Sequence, residues 1–249
     1  MCVNLRLLLL LLISIKVTTS SSPSPCIVVR TSSFAETNPY EALVATQAFD
    51  NRSLITSSGG DCYSFRHTVA PSGMRAIDKI DNDELDIVAL GSTPAANGIA
   101  RGVGFTVLSV MHGLSGSESL AVRGISNPQE LRGKTIGVPC GSTAHYALLA
   151  FLKQTGVGQD QVNVVCDNPN NLKKRFLNVT TADIDGAWLW RPPVTEMYQS
   201  GGASRLADAG LTAQWKKDVF NVWAVRNDFL KRHPNAVRWF LFILHVNDF

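Results

Sequence analysis

Two short stretches, Gly91-Ser92-Thr93-Pro94 and Gly141-Ser142-Thr143-Ala144-His145, combine glycine with paired hydroxyls where a helix would start. Ser92 or Thr93 can cap the first helix, and Pro94 suits its first turn. The free N–H groups and positive dipole end of a helix start attract anions. Two such starts in equivalent places would hold a small anion without lysine or arginine. Glu118, in Ser117-Glu118-Ser119, is a carboxylate suited to a cationic ligand group. Tyr146, Trp188, Trp190 and Trp223 are candidates for aromatic walls. The alternative readings are plain helix capping, a solvated loop acid and core tryptophans.

Catalytic patterns are broken or absent. Gly113-Leu114-Ser115-Gly116-Ser117 fails the nucleophile-elbow spacing, and Gly102-Val103-Gly104 lacks the third glycine of a dinucleotide fingerprint. There is no phosphate-binding P-loop. His112 and His145 are potential bases, but neither has an evident nucleophile and acid partner. No Cys-x-x-Cys occurs, which argues against structural zinc. The reading is a binding protein, not an enzyme, without cofactor or metal.

The elements that would position these residues alternate. Apolar or alternating runs predict strands at 26–30, 61–69, 86–90 and 105–110, with helices at 40–49, 72–80 and 92–100 between them. That rhythm predicts a parallel sheet covered by helices on both faces. It restarts with an extended piece at 119–122 and a short helix at 127–131. Strands at 135–139, 162–166 and 186–190 and helices at 144–154 and 170–177 complete a second α/β unit. An extended run at 221–225 and an apolar helix at 234–246 follow. Two α/β units joined near residues 118 and 222 suggest two lobes and a cleft. Ligands of such sheets lie beyond the carboxyl ends of strands, which is where both hydroxyl-rich stretches fall.

The chain has 249 residues, 45% of them hydrophobic and 17% charged, and a formal charge of +3. It is globular, and its length allows one large domain or two of about 100 residues each. Residues 7–13 are an unbroken apolar run after Arg6, too short to span a bilayer. They read as the core of a signal peptide over residues 1–22, with small residues at 18–22 for cleavage. Arg6 and Lys16 would leave with it, bringing the chain closer to neutral. The near-neutral balance offers no case for nucleic acid or an anionic membrane. Secretion makes Cys26, Cys62, Cys140 and Cys166 candidates for disulfides. Three pairings are open; the strand reading favours Cys26–Cys62 and Cys140–Cys166, and free thiols are the alternative. Asn51 and Asn178 begin Asn-x-Ser/Thr triplets, acceptors for glycan in a eukaryotic host.

Six segments carry a family resemblance: Asp86-Ile87-Val88-Ala89-Leu90-Gly91-Ser92-Thr93-Pro94, Ser117-Glu118-Ser119-Leu120-Ala121-Val122, Leu131-Arg132-Gly133-Lys134-Thr135-Ile136-Gly137-Val138-Pro139, Ser142-Thr143-Ala144-His145-Tyr146-Ala147-Leu148-Leu149, Asp183-Ile184-Asp185-Gly186-Ala187-Trp188-Leu189-Trp190-Arg191-Pro192, and Val222-Trp223-Ala224-Val225-Arg226-Asn227-Asp228-Phe229. On these the chain resembles the substrate-binding proteins of bacterial taurine ABC importers, within the alkanesulfonate, nitrate and thiamine-precursor binding group. The resemblance implies an α/β fold of type II periplasmic-binding architecture, with two lobes and a hinge of two crossing strands at 119–122 and 221–225. It divides the chain into a first-lobe segment at 23–117, the hinge and second lobe at 118–223, and a return segment at 224–249.

The same resemblance implies a sulfonate held by Ser92, Thr93, Ser142 and Thr143, with the taurine ammonium at Glu118 against Trp190 or Tyr146. His145 and Asp185 join the candidate ligand set through the segments that carry them. Asn221 stands where the family pattern leads one to expect an acid, which admits sulfonates lacking the amine. Relatives continue beyond position 249, so the return segment reads as incomplete, with Trp239, Phe240, Phe242 and Ile243 on an exposed apolar face. The implied protein is a secreted or periplasmic monomer, partnered by an ABC permease where the host is bacterial. A thiamine-pyrimidine-precursor binding protein or synthase-like enzyme, and a repurposed copy that binds nothing, are the alternatives. The cysteine-rich motif of the enzyme branch is absent.

Overall fold

The computed structural model describes residues 26–34, 54–55, 62–180 and 183–246. The signal segment, Asn51 and the helix expected at 40–49 lie outside the described residues.

The first sheet contains β1 (Ile27–Phe34), β2 (Leu54–Ile55), β3 (Cys62–Ala70), β4 (Ile87–Gly91), β5 (Phe105–Gly113) and β11 (Phe220–Arg226). Its order is β2-β3-β1-β4-β11-β5. The helices α1 (Gly73–Asp81) and α2 (Ser92–Ala100) connect its strands, and α7 (Asn227–Arg232) and α8 (Pro234–Val246) follow β11. In α1, Ala76, Ile77 and Ile80 fall at helical spacing and pack beneath Val88 and Leu90. On the opposite face, Val29, Tyr63 and Phe65 meet Trp223, Phe229 and Phe240.

The second sheet contains β6 (Glu118–Val122), β7 (Thr135–Val138), β8 (Asn163–Cys166), β9 (Gly186–Trp190) and β10 (Ser204–Asp208), in the order β10-β6-β9-β7-β8. Its helices are α3 (Thr143–Gln154), α4 (Pro169–Leu177), α5 (Pro193–Gln199) and α6 (Ala209–Gln214). Leu120, Val122 and Trp188 pack with Ala144, Leu148 and Phe151 of α3 on one face. Ala121, Ala187 and Leu189 pack with α4 and α5 on the other.

The expected parallel sheet is corrected to a mixed one. β11 runs antiparallel between β4 and β5, and β6 runs antiparallel to β9 and β10. Each of these strands follows a crossing between sheets and so enters in the reverse direction. The two expected hinge strands therefore lie in different sheets. The crossings are the connections at 114–117 and 215–219, tied by the Leu114 N–H donating to the Val219 carbonyl at 3.0 Å. Leu114, Val219 and Ala209 form a small core there. The return to the first sheet starts at Phe220, so β11 does not straddle a boundary at 223. Disulfides join Cys26 to Cys62 and Cys140 to Cys166, one within each lobe. Among the described residues no helix is long and apolar enough to cross a membrane.

The α8 face also differs from expectation. Phe240 is fully buried, edge-on to Trp223 with ring centroids 5.0 Å apart, while Phe242 is exposed. Apolar positions on more than one side of α8 explain the division, since only one side reaches the sheet. The side chain of Ile243 lies outside the described residues.

Candidate functional site

Glu118 opens β6 immediately after the first crossing, and every residue of that strand is buried. Directly across the antiparallel pair stands Trp190, the last residue of β9. Opposed residues share a face of a sheet, so Glu118 and Trp190 lie on the α3 side with Leu120 and Trp188. Glu118 is only 2% exposed. Its Oε1 accepts a 2.5 Å hydrogen bond from the Thr143 hydroxyl, while Oε2 has no partner among the described residues. Burial pushes its pKa up to about 7, against the smaller lowering effect of the Thr143 bond.

Thr143 starts α3. Ser142 is the N-cap, its hydroxyl accepting from the His145 N–H at 3.2 Å. Gly141 ahead of it has φ +79° and brings the chain around the turn. Its N–H donates to His145 Nδ1 at 3.2 Å. Cys140 is bonded to Cys166 at the end of β8, so the disulfide anchors this turn to the second sheet.

The first lobe meets this turn closely. A Cβ at Gly91 would stand 2.8 Å from Thr143 Cγ2, so glycine permits the approach of β4 to α3. Asn97 of α2 donates to the Gly141 carbonyl at 3.2 Å, and Met74 of α1 lies against the same glycine. Both helix starts thus converge near Glu118. Asn221, buried in β11, pairs opposite Gly91.

Ser92, Thr93, Glu118, Ser142, Thr143, Trp190 and Asn221 belong to the elements that meet at this junction. Several have different local roles from those expected. Gly91, not Ser92 or Thr93, is the N-cap of α2. Ser92 instead accepts from the Phe220 N–H at 3.4 Å, joining the helix start to the second crossing. His145 clasps the Gly141 turn, and burial lowers its pKa, favouring neutral imidazole. Tyr146 is more than a third exposed on α3. Trp188 and Trp223 are core residues rather than walls.

Asp185 is not brought to the junction. It precedes β9 at the opposite end from Trp190, about 16 Å away at roughly 3.3 Å per residue. There its carboxylate accepts from the Thr135 N–H at 2.9 Å and faces Lys134 at 3.6 Å. Asn178 is exposed at the C-cap of α4. Met74 and Asn97 were missed by sequence reasoning. Asn97 follows Thr93 by four residues, and that helical spacing was the available signal. Among the described residues no cluster of His, Cys, Asp and Glu could hold a metal ion.

Residues 73–245 match the NMT1/THI5-like family. The chain belongs to that family. Over 170 residues this NMT1/THI5-like chain is 36% identical to the taurine-binding periplasmic protein of Escherichia coli (strain K12), a match covering 68% of this chain and 52% of that protein. The chain therefore spans about half the length of that relative. Its fold is that of the alkanesulfonate-binding protein from Xanthomonas axonopodis pv. citri bound to MOPS, with a TM-score of 0.74 at 17% identity. That superposition covers 91% of this chain and 74% of the other. The periplasmic aliphatic sulphonate binding protein from Escherichia coli gives a TM-score of 0.70 at 17% identity, covering 90% and 73%.

Proposed function

We propose that this chain is a secreted or periplasmic solute-binding protein that captures taurine or a related small sulfonate between its lobes and delivers it to an ABC permease. The observation that carries the reading is the buried Glu118, one oxygen without a partner among the described residues, beside two converging helix starts. The helix starts of α2 and α3 offer N–H groups and hydroxyls to a sulfonate without a basic side chain. Glu118 offers the opposite charge to an ammonium group, and Trp190 an aromatic face beside it. A zwitterion of taurine's length carries both charges, and closure that excludes water strengthens both contacts. The 36% identity to a taurine-binding periplasmic protein supports the ligand class. The two disulfides support an oxidising compartment.

Titration calorimetry of the protein lacking residues 1–22, with taurine, ethanesulfonate and nitrate, tests the reading. Taurine is expected to bind at least tenfold more tightly than ethanesulfonate, a difference of about 1.4 kcal/mol. A folded protein that gives no heat with any of the three would overturn the reading and favour a copy that has lost its ligand.

A further inference from the structure

Glu118 is an unusual group to leave empty-handed. The carboxyl is almost wholly buried; among the described residues it receives one hydrogen bond, at Oε1, and Oε2 has no partner. A buried carboxylate without a counter-charge is costly, and such a group keeps its proton until a cation arrives.

Among the described residues, the neighbouring elements bring no such cation. On α3, His145 accepts at Nδ1 from Gly141, and burial favours its neutral form; Tyr146 is the other titratable group near that helix start. After β9, Arg191 is exposed. On β10, Asp208 pairs opposite Ser119, caps α6 and faces Arg205 at 3.3 Å. On α5, Glu196 pairs with Lys173 and Tyr198 with Ser119, on the sheet face away from Glu118. In the second crossing, Lys216, Lys217 and Asp218 are exposed. From the first lobe, Gly91, Ser92, Thr93 and Asn221 carry no charge. Burial and the Thr143 hydroxyl are the influences on the carboxyl, and no charged side chain is among them.

We propose that capture at this site is coupled to proton release: a ligand bearing an ammonium group expels the proton of Glu118, and a sulfonate lacking that group does not. The inference rests on the reading that a sulfonate occupies the junction. The exchange balances simply. The carboxylic acid loses its proton to the buffer, and the carboxylate that remains is neutralised by the incoming ammonium. No covalent bond to the ligand forms. The coupling would distinguish amino-sulfonates from plain sulfonates by pH as well as by affinity. A pKa of about 7 puts the transition where a modest change of external pH alters capture.

The test is titration calorimetry of the protein lacking residues 1–22 in two buffers of unlike ionisation enthalpy, at about pH 6 and about pH 8. At pH 6 the taurine enthalpies are expected to differ by nearly the full difference between buffers, meaning release of close to one proton. At pH 8 they should nearly coincide. Taurine affinity should fall about tenfold for each pH unit below 7. Ethanesulfonate should release no proton and bind no more weakly at pH 6 than at pH 8. Glu118→Gln should lose the taurine proton signal and bind taurine with an affinity that no longer changes between pH 6 and pH 8. If that variant does not fold, Thr143→Val serves instead: losing the hydroxyl should move the midpoint of taurine binding to higher pH. Taurine binding with equal enthalpies in both buffers at pH 6 overturns the coupling and leaves the sulfonate reading standing. Ethanesulfonate binding without taurine binding also overturns the coupling. Silence from all ligands overturns the sulfonate reading and the coupling with it.

Discussion

Glu118 ties the stability of the fold to one proton. Its folded pKa of about 7 stands above the ordinary 4.5 of an unfolded glutamate. The folded chain therefore holds the proton more tightly, and the stabilisation is complete below about pH 4.5. It is lost as pH rises through about 7, and amounts to about 3 kcal/mol. Denaturant unfolding of the ligand-free protein between pH 5 and 8 should show this loss, and Glu118→Gln should remove it. Equal pH slopes in both proteins would count against an ionisation cost at Glu118. Glu118, Ser142 and Thr143 were legible as candidates because a carboxylate at a lobe crossing and hydroxyls at a helix start are local patterns. Asp185 was not legible as a structural acid. Its partners Thr135 and Lys134 are about 50 residues away and meet it only when β7 lies beside β9.

The strands and helices show where local patterning sufficed. Helices α2 and α3 begin where glycine, hydroxyl and proline residues predicted, and α8 spans the residues its apolar run predicted. The place of β11 was not legible, because the pairing partner of a strand depends on the path of the chain through the second lobe. That path also assembles an ion network at the far end of the first sheet. Asp86, buried before β4, receives Arg30 of β1 at 2.7 Å and Arg226 of β11 at 2.8 Å. Burial opposes its ionisation, but the hydrogen bonds from Arg30 and Arg226 outweigh that and hold its pKa below the usual range. Arg226 also meets Asp83 and Asp228. Asp86→Ala should cost about 3–5 kcal/mol, because it leaves buried Arg226 without its buried partner. Chemical denaturation measures it; a loss below about 1 kcal/mol would mean that Asp83 and Asp228 suffice.

The two lobes touch through groups that no local pattern marks as a pair. Asn97 on α2 reaches the Gly141 carbonyl ahead of α3, and glycines at 91 and 141 let the backbones come close. If ligand is captured between the lobes, a hydrogen bond that joins them favours the arrangement that holds it, so losing this bond should weaken capture without touching the ligand. Asn97→Ala is expected to weaken taurine binding about fivefold, the equivalent of one hydrogen bond, mainly through faster dissociation. Stopped-flow release measures this, and an unchanged rate would remove Asn97 from closure.

Residue types and short-range spacing specified most helices and strands, the hydroxyl-rich helix starts and the absence of a familiar catalytic pattern. Those features depend on neighbours a few residues apart, where backbone preference and apolar periodicity act directly. Folding in three dimensions decided which strands pair, which tryptophans are core and which acids lie exposed, in a salt bridge or buried at the lobe junction. It set the environment of Glu118 by closing a low-dielectric junction around a carboxyl whose sequence neighbours, Ser117 and Ser119, are polar and uncharged. Burial, counter-charge and orientation are properties of groups brought together from distant positions, so they exist only once the chain has folded.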